Sequence, residues 1–557
     1  MKKYIIILLP ILCFLIAATS VQIETEDKNK KFDEHRSLIS AEVLRSHLDI
    51  IASDSLMGRG TGQLGIDMTA DYLAGHLDEL GFPKIGDDDS YFQTFNLKGS
   101  RVNGIHYSLF QNDEDGGKGE VAWVGSALRN KPTGFYNLYG GEQALTGDIV
   151  FAGFGLQDLE SGLDNIKDID VSNKWVMVFA DIPEGIEELP ENIEELIENR
   201  IMSLIFRRRA LGVMVINHFD KDEYLHHATK LSQIIGNPKG IRLPDGGGRS
   251  MLAVSVKSVS PELATQILGL SSVDDLEMVH KAMAHDLSGF TGTELGYTLD
   301  VHVDWEETDI PSKNVMGYLE GCHETRKNEL VVMSAHYDHM GIGTPDENGD
   351  MIYNGADDNG SGTVTTLTLA QALAKAKEKG QCLDRSILFL FVTGEEHGLL
   401  GSRYYSENPV FPIEQTVANF NLDMFGRIDY DYQEKDEDYI YIIGADIISS
   451  QLDSLLHVAN ERSAGLTLDM KYNDLDDRNQ FYRRSDHWNF GRLGVPFIFF
   501  FSGLHDDYHE PSDSIEKIAF ELLEKRAQLI YSTLIEVANF PERPVVDNQE
   551  FIRRTQK

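Results

Sequence analysis

Cysteine is scarce: the 557-residue chain has three, Cys13, Cys322 and Cys382. None has CxxC spacing, which excludes a thiolate zinc cluster or a dithiol redox pair. Cys322 and Cys382 fit either one disulfide in an oxidising compartment or two buried thiols. Positive charge is also short. Fifty Lys and Arg face 90 Asp and Glu, a formal net charge of −40, which argues against nucleic acid or an anionic membrane as a partner. The apolar run Ile5 to Ala18, behind Lys2 and Lys3, is short for a membrane span. With small residues Ala18 and Ser20 before Val21, residues 1–20 read as a cleaved secretory signal. The expected product is exported, periplasmic or extracellular, without stable membrane contact. An uncleaved anchor or a lipoprotein is the alternative, although Leu12 is large for the position before a lipidated Cys13.

Several motifs are missing too. GRGTGQLG, Gly58 to Gly65, has no strand before it and no Lys-Ser or Lys-Thr pair after it, so it reads as a tight loop. No G-x-S-x-G is present, and Ser485-Asp486-His487 are too close in sequence for a hydrolase triad. Asp429 to Asp438 lacks the glycine and spacing of an EF-hand and reads as a solvated loop. No repeats or low-complexity tracts appear.

What is present suffices for two or three domains with ordinary cores, at 41% hydrophobic residues. Gln22 to Arg36 is charged and reads as a mobile leader. Val43, Leu44, Leu48 and Ile51 keep helical spacing. Ile66, Ala70, Leu73, Leu77 and Leu80 mark a second helix that Gly81 stops. Residues 117–292 differ in texture: strands at Asp148–Phe154, Lys174–Phe179 and Gly212–Ile216, and an acidic helix from Ile186 to Leu211. His218, His226 and His227 lie scattered there among charged residues and are expected at the surface. This segment reads as a separate inserted domain between 36–116 and 293–540. From Asn314, strands Asn314–Leu319, Leu330–Ser334, Ile387–Val392, Val417–Leu422, Tyr439–Ile443 and Pro496–Phe501 alternate mostly with helices. The last helix, after Ser514, is expected to bury Ile515, Ile518, Leu522, Leu529 and Ile530. The fold class is α/β, a sheet covered on both faces by helices.

Four of these apolar runs end in His, Asp or Glu. Leu330 onward exits into His336, Asp338 and His339, with Asp357 and Asp358 in a glycine-bounded turn some twenty residues later. Ile387–Val392 exits into Glu395 and Glu396, Val417–Leu422 into Asp423, and Pro496–Phe501 through SGLHDDY into His509. Ligands bind beyond the carboxyl ends of strands in open α/β sheets. Imidazole with carboxylate suits a transition metal. A hydrolytic two-metal site needs a bridging carboxylate, terminal ligands and a base for water. Asp338, two residues from His336, is placed to orient that imidazole, and Glu395-Glu396 can divide metal binding from proton transfer.

HYDH, GADDNGSGT, GEEHGLLGS, NLDMFGR, SDHWNF and DYHEPSDS resemble, in order, the motifs of the secreted co-catalytic di-zinc aminopeptidases. That family includes glutamate carboxypeptidase, transferrin receptor and glutaminyl cyclase. The resemblance covers roughly Arg36 to Ala538. GDIVFAGFGL…NKWVMVFADIP…ALGVMVINH resembles the β-rich protease-associated domain that some members carry as an insertion. The resemblance implies a mixed, mostly parallel sheet of zinc exopeptidase type and two Zn2+ per chain, with Mn2+ or Co2+ also acceptable to such ligands. Asp357 is the implied bridge, His336 and Asp423 complete one site, and Glu396 and His509 the other. Glu395 is the implied general base for a metal-bridged water, and Tyr508 the implied oxyanion donor. Asp338 supports His336, and Asp486 and His487 support the site, line it or pack. His339 and His397 have no ligand position in the pattern.

The expected activity is removal of amino-terminal residues from peptides. A carboxypeptidase or dipeptidase of the same fold is the alternative, with Arg478, Arg483 and Arg484 near SDHWNF as candidate partners for a substrate carboxylate. A glutaminyl cyclase fits less well, since it works with one metal. A noncatalytic receptor-like ectodomain would have substituted ligands, and here they are intact. Side-chain preference and oligomeric state stay open.

Overall fold

A computed structural model describes residues 26–555 except 141–143, 159–162, 184–188, 190–191, 247–254, 347 and 436–437. The signal assigned to residues 1–20 lies outside the described residues. Among those described, no helix is long and apolar enough to cross a membrane.

The chain forms two compact units. The first takes the described residues through Lys98, Ile241–Gly246 and Asp309 onward; the second takes Gly99–Gly240 and the described residues from there to Thr308 outside Ile241–Gly246. These limits differ from 117 and 292 because the chain leaves and re-enters the first unit inside the long strands Phe92–Asn112 and Thr293–Leu319. No break in composition marks a boundary in mid-strand. Ile241 and Leu243 belong to the first unit because they pack with Phe95, Leu97, Ile310 and Leu400.

In the first unit the strand order is Thr467–Asp469, Tyr439–Gly444, Phe497–Phe501, Thr416–Leu422, Leu330–His336, Ser386–Val392 and the end of Thr293–Leu319. The middle four strands, Phe497–Phe501 to Ser386–Val392, are mutually parallel. Antiparallel neighbours flank them on both sides. Every residue of these four is buried, as a sheet covered on both faces requires. Each large apolar side chain in them contributes about 1.5–3 kcal/mol by leaving water. The sheet is the mixed, mostly parallel one expected. Register carries the consequence: His336 pairs with Val392, Ser334 with Asn421, and Leu422 with Phe500. All four strands therefore end at one edge of the sheet.

Helices Gly362–Glu378 and Phe520–Asn539 are almost wholly buried. Ser40 caps helix Ala41–Ile51 by accepting from Val43 N–H, and Leu44, Leu48 and Ile51 are buried. Helix Leu64–Glu79 buries Ile66, Ala70, Leu73 and Leu77, and Gly81 follows it in the left-handed region at φ 72°. The last helix begins later than its periodicity suggests. Ile515–Lys517 is a separate short turn, and Ala519 N–H donates to the Gly426 carbonyl before Phe520 starts the helix.

Two expectations are corrected, and one open alternative is decided. The leader is not free from Glu26 onward: Phe32 and Asn29 are buried, Asn29 Nδ2 donates to Glu536 at 2.8 Å, and Lys28 pairs with Asp384. Its few apolar groups find a core on the terminal helix that composition could not reveal. Asp429 is buried and accepts from Tyr441 Oη at 3.2 Å, so its acidic loop is anchored at one end. Cys322 and Cys382 form a disulfide, with Cα atoms 6.0 Å apart.

The second unit is α/β rather than simply β-rich. Leu145–Phe151, Trp175–Phe179, Gly212–Ile216 and Ser255–Val259 run parallel, with Phe135–Gly140 antiparallel at one side. Helices Ile193–Met202, Lys221–Ser232, Pro261–Ile267 and Val273–Ala284 accompany them. Its core includes Phe135, Trp175, Met177 and Phe179. His226 is exposed, but His218 is buried against Tyr136, a hydroxyl its sequence neighbourhood does not reveal.

Candidate active site

The shared strand edge gathers the predicted side chains. His336, the last residue of its strand, is held through Nδ1, which donates to the Asp338 carbonyl at 3.1 Å. That leaves Nε2 facing Asp358 Oδ1 and Asp423 Oδ1, each at 3.3 Å. Asp423 Oδ2 accepts from Ser485 Oγ at 2.6 Å, while Oδ1 has no hydrogen-bond partner. On the other side, His509 Nε2 lies 3.2 Å from Asp358 Oδ2 and 3.0 Å from Glu396 Oε2. Asp358 thus presents one oxygen to each imidazole.

Asp357 does not face this group, contrary to expectation. Its Oδ1 accepts from Gly426 N–H at 2.6 Å, and its Oδ2 lies 3.3 Å from His505 Nε2. The neighbouring carboxylates of GADDNGSGT point in opposite directions because the turn is pinned from below. The Asp513 carboxylate accepts from both Asp357 and Asp358 N–H at 3.0 Å. Gly355 opens the turn at φ 55°, where a Cβ would come within 2.1 Å of the Asp358 carbonyl oxygen and 2.5 Å of the His339 ring.

His339, set aside in the sequence, belongs to the cluster: Nδ1 lies 2.7 Å from Glu396 Oε1 and 3.7 Å from Asp358 Oδ2. Its position three residues beyond His336 at the strand exit was the available signal. His397 is exposed. Asp338 is wholly buried and supports the site in an unexpected way. Its main-chain carbonyl, not its carboxylate, holds His336, while its Oδ1 accepts from Glu395 N–H at 3.2 Å and Oδ2 from Thr61 Oγ1 at 3.0 Å. Arg59, also from GRGTGQLG, is 1% exposed and donates to the carbonyls of Tyr337, Ile51, Asn354 and Gly355 at 2.6–3.0 Å. That loop thus ties the His336 strand exit to the Asp358 turn.

An open cleft of about 380 Å3 lies beside the cluster. Asp358, Glu395, Asp423 and Tyr508 line it, with an apolar wall of Met424, Phe481, Phe499, Phe501 and Leu504, and Arg484. Tyr508 stacks on His509 with ring centres 3.8 Å apart. Asp486 and His487 do not line the cleft. Asp486 is buried near it, and His487 packs on Phe497 and Phe499, with ring centres 4.6 Å apart, while its Nε2 donates to the Phe481 carbonyl at 3.2 Å. Leu399, Met424 and His509 occupy the left-handed region at φ 60°, 50° and 59°. Such conformations cost a non-glycine residue about 1–2 kcal/mol and concentrate at functional sites.

Electrostatics follow from crowding carboxylates in a dry place. Burial, aided by Glu396 and Asp423, raises Glu395 well above the usual carboxylate range. Burial likewise pushes Asp486 up to about 7 and Asp513 up to about 6. Burial disfavours a charged His509, but Asp358 and Glu396 outweigh it and raise the imidazole to about 10. Burial lowers His487 to about 3, so that ring is neutral.

His336, Asp358 and Glu396 bring ligand atoms within 4.8 Å of one another, and so do His336, Glu395 and Asp423. Nitrogen and carboxylate oxygen donors, including an Asp423 Oδ1 without a hydrogen-bond partner, fit zinc. Residues 314–534, which contain this whole cluster, match peptidase family M28. Over that segment the chain resembles the M28 peptidases. Aminopeptidase YwaD of Bacillus subtilis is 27% identical over 244 residues, 42% of this chain and 47% of that protein. A probable leucine aminopeptidase of Arthroderma otae is 28% identical over 218 residues, 38% of this chain and 55% of that protein. The chain spans about half the length of these curated relatives. The solved structure of a peptidase M28 precursor from Shewanella amazonensis aligns over 94% of this chain and 99% of its own, at 17% identity and a TM-score of 0.49.

Proposed function

We propose that the protein is a zinc-dependent exopeptidase that removes amino-terminal residues from peptides, acting outside the cytoplasm. The observation that carries this reading is Asp358, with one oxygen toward His336 and the other toward His509, beside a cleft that Glu395 lines. The M28 match and relatives named as aminopeptidases support it. The disulfide supports export.

In this reading two zinc ions would be held by Asp358 together with His336 and Asp423 on one side and Glu396 and His509 on the other. The metal pair supplies polarisation of the scissile carbonyl and a water acidified toward neutral pH. Glu395 takes the proton of the attacking water and passes it to the leaving amine. The neutral Tyr508 hydroxyl, whose ionisation burial and the surrounding carboxylates disfavour, donates to the developing oxyanion. The free α-ammonium of a substrate gains charge-assisted hydrogen bonds from a cleft lined by three carboxylates. The apolar wall takes the first side chain.

Arg484 is the specific observation behind a second reading, since it lines the same cleft and a guanidinium suits a substrate carboxylate. A leucyl peptide compared with its N-acetylated and C-amidated forms decides between them. The aminopeptidase reading expects acetylation to abolish cleavage and amidation to leave it. Cleavage that survives acetylation and stops on amidation sinks it in favour of a carboxypeptidase.

A further inference from the structure

The second unit holds a compact trio of ligand side chains, none of which belongs to the cleft. His218 follows strand Gly212–Ile216, and helix Lys221–Ser232 carries Glu223 and His227. Residues four apart share one helix face. Asp220 caps that helix, its carboxylate accepting from Asp222 and Glu223 N–H at 2.9 Å, so the first turn is fixed. One ligand atom from each of the three lies within 4.8 Å of the others.

The geometry looks built rather than incidental. His218 is 6% exposed, yet its Nδ1 has no hydrogen-bond partner and faces Glu223 Oε1 at 3.4 Å. A buried nitrogen left without a partner is costly unless something else satisfies it. Tetrahedral ligands at about 2.0–2.1 Å from zinc stand about 3.3–3.4 Å apart, which matches that separation. His227 stacks beside His218 with ring centres 4.9 Å apart. The other nitrogen of His218, Nε2, is 2.9 Å from Tyr136 Oη, which also accepts from Asn217 Nδ2 at 3.1 Å. Metal-bound histidines have their second nitrogen held in this manner.

We propose that His218, Glu223 and His227 bind a divalent transition-metal ion, zinc by donor type, at a structural or regulatory site in the second unit. Two imidazoles and a carboxylate leave a fourth position for water, and the exposed Glu223 side chain gives the ion a way in. The inference does not depend on the peptidase reading.

The test is elemental analysis of the full chain after dialysis against micromolar zinc, for wild type and for Glu223→Gln and His227→Gln. Both substituted residues are at least partly exposed, and circular dichroism checks the fold. Each variant is expected to hold one ion fewer than wild type, with peptide cleavage unchanged. Tyr136→Phe is expected to keep the fold and weaken zinc binding about 10–100-fold, which a hydroxyl that only packs would not do. Metal content equal to wild type in both variants overturns the proposal. So does loss of an ion together with loss of cleavage, since that ion would belong to the cleft. If wild type cleaves no peptide, the difference in metal content still decides the question.

Discussion

The Asp338 carboxylate holds Glu395 by its main-chain N–H, at 3.2 Å, while Thr61 holds the same carboxylate from the opposite side at 3.0 Å. The proposed base therefore inherits its position from a buried group that does not line the cleft. Asp338→Ala is expected to lower kcat about 10–100-fold with KM little changed, as losses of supporting groups do. Glu395→Gln is expected to lower kcat about 10²–10⁴-fold while metal content stays at the wild-type value. Steady-state kinetics with elemental analysis checks both. Metal lost from Glu395→Gln and retained in Glu396→Gln would reverse the division of labour.

Asp357 and Asp358 are adjacent, yet substitution should affect different properties. Asp358→Ala removes the group that faces both imidazoles, so metal binding and cleavage should both be lost. Asp357→Ala instead leaves the buried Gly426 N–H without its acceptor and His505 without its neighbour. That is expected to cost about 1–3 kcal/mol of stability with metal retained. Denaturant melts and metal analysis of the two variants separate the roles, and metal lost from Asp357→Ala alone would exchange them.

The strands of the first unit were legible because runs such as ILFLFV are buried on both faces and need no tertiary information to stand out. The four ligand-bearing exits were legible for the same reason, since each follows directly on such a run. The choice between Asp357 and Asp358 was not. Both are acidic and share one turn, and which one faces His336 and His509 depends on Asp513, more than 150 residues away. Asn29 and Phe32 were misread because local composition is blind to a core supplied by the terminal helix. GRGTGQLG joins the end of a short helical turn at Arg59 to the helix from Leu64, and Arg59 has no local signal for burial, as its partners are carbonyls of Ile51, Tyr337, Asn354 and Gly355.

Arg59 satisfies four carbonyls from one buried guanidinium. Arg59→Met keeps much of the apolar stem but strands those acceptors, and Asp358, Asp513 and Asp338 lose a buried positive charge. The expected destabilisation is about 3–5 kcal/mol, the scale of breaking a buried charged network. Arg59→Lys should rescue little, since an ammonium lacks the planar fork that reaches all four carbonyls. Chemical denaturation measures both. A loss under about 1 kcal/mol for Arg59→Met would mean that water replaces the guanidinium.

Metal uptake should release protons, and His509 sets the pH range. In the metal-free protein burial opposes its charge, but Asp358 and Glu396 prevail and its pKa rises to about 10, against an ordinary value near 6.5. The same carboxylate crowding, against burial, raises His336 well above the ordinary value. A raised pKa means that the paired imidazolium stabilises the metal-free fold fully below about pH 6.5 and ceases to as pH rises through about 10. A metal needs the neutral imidazole. Between those limits each bound ion must therefore displace at least one proton, and apparent affinity should rise about tenfold per pH unit for each proton displaced, levelling above pH 10. Calorimetric zinc titrations at pH 7.5, in buffers of different protonation enthalpy, count the protons directly. His509→Gln should lower the count and flatten the slope. Zinc affinity independent of pH between 7 and 9, with no proton released, would show that the imidazoles are already neutral in the metal-free protein.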